Sequence, residues 1–258
     1  MKRFLIFLLS CALGVSACAG TPDTTALFSR LDDYLKALDG ADLSTACDEA
    51  DFIISSVGDS TLRNEVGARV YRHFRDSGYM GSENVAVYVY DKWFAECTLL
   101  FEDPEEFDEA SFFALSNRSS LLLSKAPRLT LPDLDGKDCT LPSAKGRASV
   151  IYFYSARCPK CLFISRSLGR ILKGHRLEVY AVYMGDDDKE WMEYAANELK
   201  IKGCGLKVHH LKGDPSTCTI AYGVLQTPRL FLVDGRGTII GRKLDSAALE
   251  LLLKTVNR

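Results

Sequence analysis

The hydrophobic pattern changes character about halfway along the chain. Between residue 22 and about residue 125, apolar positions recur at the three- and four-residue intervals of a helix face. Leu27, Leu31, Leu35 and Leu38 form one such stripe. Leu62, Val66, Val70 and Phe74 form another, behind the capping run Asp59-Ser60-Thr61. Ser82 is a candidate cap for a helix carrying Val85, Val89 and Trp93, although Val85–Tyr90 also suits a strand. Pro104-Glu105-Glu106 fits a helix start, because proline suits the first turn and acids complement the dipole there. Phe107, Ala110 and Ala114 continue that stripe. A bundle of about four or five helices is expected. Tyr71, Phe74, Tyr88, Trp93 and Phe94 fall on these faces and read as core, and His73 reads as a boundary residue.

From Ala126 the period shifts. Pro127 and Pro132 break helix, and Asp133-Leu134-Asp135-Gly136-Lys137 is turn chemistry. Val150–Tyr154 is a continuous apolar run, as expected of a buried strand, and Pro159–Leu172 is amphipathic. A second strand is predicted at Leu177–Tyr183, a helix at Asp188–Leu199 and a short strand at Val208–Leu211. Leu230–Val233 and Thr238–Gly241 flank Asp234-Gly235-Arg236-Gly237, a hairpin signal, and Ala247–Val256 closes the chain as a helix. Strands alternating with helices imply an α/β domain. The expected organisation is a leader over 1–17, a helical domain over 18–125 and an α/β domain over 126–258.

Composition narrows the class. Hydrophobic residues are 47% and charged residues 26% of 258, which excludes a disordered chain, a collagen-like fibre and a multi-span membrane protein. With 32 Lys+Arg against 34 Asp+Glu, there is no basic excess to drive nucleic-acid binding. Lys2 and Arg3, an apolar stretch from Phe4 through Val15, and then Ser16, Ala17, Cys18, Ala19 and Gly20 have the three-part layout of an export signal. Simple cleavage after Ala17 or Ala19 would suit this layout. Val15-Ser16-Ala17-Cys18 also resembles the lipobox of bacterial lipoproteins, which implies cleavage before Cys18 and acyl chains on it. The body would then sit on a membrane surface at the cell envelope, on the periplasmic side of a bacterial membrane. Export would place the remaining cysteines where disulfides persist.

Cys158-Pro159-Lys160-Cys161 follows the buried strand and opens the amphipathic helix. Free N–H groups and the positive end of the dipole at a helix start stabilise a thiolate, lowering the pKa of Cys158. Arg157 and Lys160 are adjacent cations that push the same way. Cys158 could attack a substrate disulfide and Cys161 resolve the mixed disulfide.

Residues 126–258 resemble the thioredoxin-fold domain of exported thiol–disulfide oxidoreductases of the ResA and TlpA type. Ala126-Pro127, Leu129-Thr130-Leu131-Pro132-Asp133 and Gly136-Lys137 resemble the family's entry hairpin. Val150–Cys161 matches its central strand and active site, and Gln226-Thr227-Pro228 followed by Arg229–Asp234 matches its cis-proline segment. The resemblance implies a cis Pro228 facing the cysteine pair, with Thr227 presenting polar atoms to an incoming peptide. It implies exported thiol or disulfide proteins as substrates, a membrane redox donor as partner, no cofactor, and reduction rather than oxidation. The sequence departs from the family at three places. Arg157 replaces an aromatic before the first Cys, Tyr152 stands where relatives keep a buried polar residue, and Ile164 stands where some reductases carry Glu. The customary proton acceptor for Cys161 is therefore missing, which leaves Tyr152, Lys160 or water as the candidates to substitute for it.

Other readings carry less. A zinc site would need Cys204, His209, His210 or Cys218 in addition to the pair, and their spacing forms no second tight pair. Ser155-Ala156-Arg157-Cys158 partly resembles a peroxiredoxin motif, but Ile151 stands where that motif needs Pro. Asp186-Asp187-Asp188 suits a helix cap better than a calcium loop. A passive disulfide between Cys158 and Cys161 is a further possibility. So is a non-catalytic binding lipoprotein in which the helical domain captures a partner and the α/β domain is a scaffold. Cys47 and Cys97 could pair within the helical region. Cys204 and Cys218 bracket a strand and are not expected to pair, and Cys139 in the entry hairpin reads as a buried thiol.

Overall fold

The computed structural model describes residues 24–143, 146–203 and 205–256. The leader, Cys11, Cys18 and Cys204 lie outside the described residues. The chain divides into two compact units, one ending at Ala41 and one running from Asp42. The expected division at 125/126 falls inside the second unit.

In the first unit, α1 (Thr24–Ala37) buries Leu31 and Leu35. Among the described residues, no helix is long and apolar enough to cross a membrane.

The second unit begins with helices α2 (Leu43–Ser55), α3 (Ser60–Asp76), α4 (Ser82–Val89) and α5 (Pro104–Arg118). Asp42, Asp59 and Asp103 cap α2, α3 and α5, each accepting a backbone N–H of the first turn. The ambiguous Val85–Tyr90 run is helical. Ser82 does not cap it: Gly81 does, at φ +94°, a conformation that favours glycine. Ser82 is buried instead, and its hydroxyl donates to the Ser77 carbonyl at 3.2 Å. Beyond α4 the helix widens into a π turn over Tyr90–Phe94, with Ala95 N–H reaching back to the Tyr90 carbonyl. Tyr71, Phe74 and Phe94 are core as expected, and Phe94 stacks on Phe101 with ring centroids 4.0 Å apart. Tyr88 and Trp93 are only half-buried. Both donate to the Asp51 carboxylate, which also accepts from Lys92, so these two rings are fixed by polar contacts.

The α/β part starts with a hairpin, β1 (Leu129–Pro132) and β2 (Asp138–Leu141), turned by Asp133 and Gly136. The main sheet comprises β3 (Ser149–Tyr154), β4 (Glu178–Tyr183), β5 (Lys207–Lys212), β6 (Arg229–Val233) and β7 (Ile239–Arg242). Its order is β5-β4-β3-β6-β7. β3, β4 and β5 are parallel, and β6 and β7 continue antiparallel. Every residue of β3 and β4 is buried, the reason Val150–Tyr154 and Val179–Tyr183 read as apolar runs. Alternation divides β3 between two cores. Val150, Tyr152 and Tyr154 face α6 (Pro159–Ile171), α7 (Asp188–Asn197) and α9 (Ser246–Val256). Ile151 and Phe153 face the hairpin and α8 (Pro215–Tyr222).

Helix α8 is not anticipated from periodicity, since Cys218 and Tyr222 are its buried residues. Its punctuation was nevertheless present: Asp214 caps it, Pro215 opens it, and Gly223 closes it at φ +62°. Helix α5 packs on α8, so the helical layer rests directly on the α/β layer. A buried charge cluster joins the same two layers. Glu83 of α4, fully buried, lies 2.6 Å from Lys243 Nζ and 3.4 Å from Arg242 Nε. The Arg242 guanidinium donates to the Ser120 carbonyl and to the Asn117 side chain beyond it, and lies over the Phe231 ring.

Candidate active site

The CxxC motif sits at the C-terminal end of β3, where the central strand hands over to α6. Cys158 is the N-cap of that helix and Pro159 its first residue. Two residues of spacing place the second cysteine in the first turn, so Cys158 Sγ accepts the Cys161 N–H at 3.2 Å. The Thr227–Pro228 peptide is cis, and the Thr227 carbonyl lies 3.6 Å from Cys158 Sγ, which donates to it. The segment expected to face the pair thus does so. A second cis bond, Leu141–Pro142, was not foreseen.

The two thiols differ. Cys158 is half-buried and Cys161 fully buried. Burial acts to raise the Cys158 pKa. It is outweighed by hydrogen bonds from the Cys161 thiol, the Cys161 N–H, the Thr227 side and the Lys160 backbone, so the thiol falls below its ordinary value. Cys161 is pushed up to about 11, first by burial and then by its hydrogen bond to Cys158. Iodoacetamide should therefore modify reduced Cys158 first. Its rate should level off below the ordinary thiol value as pH rises, while Cys161 should become reactive only near pH 11. Mass spectrometry of each peptide across a pH series checks this; equal rates at the two sites would contradict it.

Arg157 was expected to help hold the thiolate. Its exposed guanidinium instead donates to Glu190 at 2.9 Å, and Glu190 also accepts from the Tyr183 hydroxyl at 2.6 Å. The structure therefore assigns the pull on Cys158 to hydrogen bonds, and the Arg157 charge is spent on a carboxylate. Pro159 and Lys160 are exposed beside the pair. With Phe163, Pro228, Lys243 and Leu244 they line a mostly apolar groove of about 470 Å³. Phe163 projects into solvent, 71% exposed.

Beneath Cys161 lies a set of hydroxyls that sequence reasoning did not assemble. Tyr152 donates to the Cys161 carbonyl at 2.8 Å and lies 3.1 Å from Ser165 Oγ, which is 2.9 Å from the Tyr194 hydroxyl. The placement of Tyr152 six residues before Cys158 was the one sign of it. Ile164, at the position where some relatives carry Glu, is buried in the core.

The remaining cysteines are thiols where described. The bridge that could join Cys47 to Cys97 is not formed: both are free, and Cys97 is exposed at φ +56°. Cys139 is half-buried rather than buried, with Sγ 3.4 Å from His209 Nδ1, and His209 Nε2 is 3.4 Å from Glu178. Among the described residues, no group of three or more His, Cys, Asp or Glu is placed to hold a metal ion. Cys218 is fully buried. Replacing it by Ser should cost about 1–3 kcal/mol, because a hydroxyl would enter an apolar core; urea denaturation measures the loss.

A CxxC pair heading a helix after the central strand, with a cis-proline loop opposite, defines a thioredoxin-like domain, and residues 122–242 match the AhpC/TSA family model. A thioredoxin-like protein from Bacteroides caccae superposes with a TM-score of 0.66 at 16% identity, over 90% of this chain and 84% of that one. That likeness extends the shared fold to the helical region. The thioredoxin domain of a thiol-disulfide oxidoreductase from Bacteroides vulgatus aligns at 22% identity and a TM-score of 0.46, over 54% of this chain and 100% of that one. A secreted Mycobacterium tuberculosis disulfide oxidoreductase aligns at 18% identity and a TM-score of 0.41, over 50% and 94%. No curated protein matches the chain.

Proposed function

We propose that the protein is a thiol–disulfide oxidoreductase acting on exported proteins, held at a membrane surface by lipid on Cys18. The carrying observation is the unequal cysteine pair. Cys158 is accessible, accepts the Cys161 N–H and has its pKa lowered by hydrogen bonds, with the Thr227 carbonyl opposite it, while Cys161 waits protonated beneath it. In the reducing direction the Cys158 thiolate attacks a substrate disulfide, that S–S bond breaks and one substrate thiolate leaves. Cys161 then gives up its proton and attacks Cys158, releasing the second substrate thiolate and leaving an enzyme disulfide. A dithiol donor at the membrane resets the pair. Thr227 and Pro228 shape the site for the substrate chain, and the apolar groove beside Phe163 receives side chains next to the substrate cysteine.

The reducing direction rests on the family resemblance; a stabilised Cys158 thiolate favours the opposite one. A redox titration of the mature protein, with both cysteines followed by thiol trapping, decides it. A potential near about −270 mV identifies a reductase, and one near about −120 mV an oxidant. Failure of the pair to titrate reversibly would overturn the enzymatic reading and leave a binding lipoprotein with a thioredoxin-like scaffold.

A further inference from the structure

We propose that Cys139, His209 and Glu178 form a second reactive thiol site, one that takes a small organic disulfide and keeps half of it as a mixed disulfide. The inference goes beyond the exchange reading and does not depend on it. Three strands supply the group. Cys139 comes from β2 of the hairpin, His209 from β5 at the end of the sheet, and Glu178 from the start of β4. Cys139 Sγ lies 3.4 Å from His209 Nδ1, and the other ring nitrogen, Nε2, lies 3.4 Å from a Glu178 carboxylate oxygen. Nucleophile, base and orienting carboxylate thus stand in line. The ring is also held in place. It stacks on Tyr180, its partner in the strand register, with centroids 4.8 Å apart and planes 8° apart. The Tyr180 hydroxyl donates to Glu178. Ser143 donates to both, its N–H to the Tyr180 oxygen at 2.9 Å and its hydroxyl to Glu178 at 3.3 Å.

The site is separate from the CxxC pair. Cys139 packs against the hairpin core and Cys158 against the helix core, on opposite faces of the sheet. Glu178 pairs with Ser149 at the start of β3, whereas Cys158 follows the end of that strand. With the sheet between them, Cys139 is not placed to resolve or extend the exchange at Cys158.

The carboxylate beside Nε2 favours the tautomer with the ring hydrogen there, which leaves the Nδ1 lone pair facing the thiol. Burial opposes ionisation of Glu178, but the Tyr180 hydrogen bond and nearby cationic charge outweigh it, so the carboxylate stays charged. Burial raises the Cys139 thiol above its ordinary value and lowers the His209 ring below its own. Between those two values the thiol keeps its hydrogen and the ring is a neutral base. The groups facing the imidazole are Cys139 from β2, Asp133 from the hairpin turn, Glu178 and Tyr180 from β4, and Lys207 from β5. In the reaction Cys139 gives its proton to Nδ1 as its sulfur attacks one sulfur of the disulfide. That S–S bond breaks, and the departing thiolate takes the proton from His209. The products are a mixed disulfide on Cys139 and one free thiol; the small disulfide is the oxidant and is itself half reduced. Because Cys139 is half-buried, the site admits a small disulfide rather than one embedded in a folded protein.

The test treats the fully reduced protein with excess bis(2-hydroxyethyl) disulfide across a pH series and follows each cysteine peptide by mass spectrometry. Cys97, which is exposed, serves as the internal reference. In the parent, the Cys139 rate should reach a plateau that begins below the ring's ordinary value of 6.5 and holds until the thiol ionises above its ordinary value of 9.0. An ordinary thiol is only a few per cent ionised at neutral pH, so His209→Asn should cost roughly tenfold there. That variant should also lose the plateau, its rate climbing with hydroxide throughout. Glu178→Gln should lower the plateau and leave the alkaline rate as in the parent. Cys97 should keep its rate in both variants. A parent Cys139 rate that climbs with hydroxide through neutrality overturns the proposal, and that result needs no variant to fold. So does the absence of a Cys139 adduct under conditions that fully modify Cys97. So does a loss by the same factor at every pH in either variant, because disturbed packing alone would produce that.

Discussion

Glu83→Gln should lower the stability of the protein by about 3–5 kcal/mol, the usual consequence of removing one member of a buried charge pair. The carboxylate is fully buried, with Arg242 and Lys243 as its cationic neighbours. Lys243 is a quarter exposed and can turn to water, but Arg242 cannot. Glutamine would leave that guanidinium charged inside the molecule with no counter-ion, facing the Asn117 and Ser120 oxygens and the Phe231 ring. Urea denaturation of the variant measures the loss, and a change below about 1 kcal/mol would show that the cluster relaxes freely. Replacing Arg242 by Met in the same variant should recover part of the loss, since no unpaired charge then remains. The pair also has a pH signature. Burial opposes ionisation of Glu83, but Arg242 and Lys243 outweigh it and hold the pKa below the usual carboxylate value. A depressed pKa contributes stability that is complete above the unfolded value of about 4.3 and is lost as pH falls through the folded one. The parent should therefore lose stability on acidification below pH 4, and Glu83→Gln should lose less over that range.

Cys161→Ser should convert the protein into a trap. Cys158 keeps its cap position and the Thr227 carbonyl, so the first attack on a disulfide should proceed at close to the parent rate. The mixed disulfide then has no neighbour to resolve it and should accumulate to one equivalent, visible on a non-reducing gel and lost on adding dithiothreitol. Cys158→Ser should form no such adduct, because the remaining thiol is fully buried. That asymmetry separates an exchange enzyme from a protein that merely carries a passive disulfide, for which neither variant would trap a substrate. If both variants formed adducts equally, the assignment of Cys158 as the attacking thiol would be wrong.

What could be read from the chain follows from how local each signal is. The buried strand Val150–Tyr154, the cysteines behind it and the Thr227-Pro228 step are short contiguous patterns, and their geometry appears as expected. The stripes of α1, α3 and α5 were equally local. Ser82 misled because a serine before an apolar run looks like a cap; only the left-handed backbone of Gly81 reveals which residue caps. Helix α8 escaped because it buries few side chains, so its caps had to carry a signal that its periodicity lacks. The charge cluster and the hydroxyl chain were beyond reach for a different reason. Each joins residues from separate segments, and no one-dimensional pattern records that Tyr194 lies beside Ser165 or that Glu83 lies beside Arg242. Arg157 shows the same limit. Its proximity to Cys158 in sequence suggested a role that Glu190, from another helix, takes away.

The Arg242 contacts have a consequence for how the molecule comes into being. Its partners Ser120 and Asn117 precede it by 122 and 125 residues. A chain made from its N-terminus produces α4 and α5 long before β7 exists, so Glu83 emerges with neither of its counter-ions. Until the last strand arrives, the early helices have every reason to keep that carboxylate in water and their packing loose. The helical half should thus remain open to proteases and chaperones through most of synthesis, and close in one late step when Arg242 is delivered.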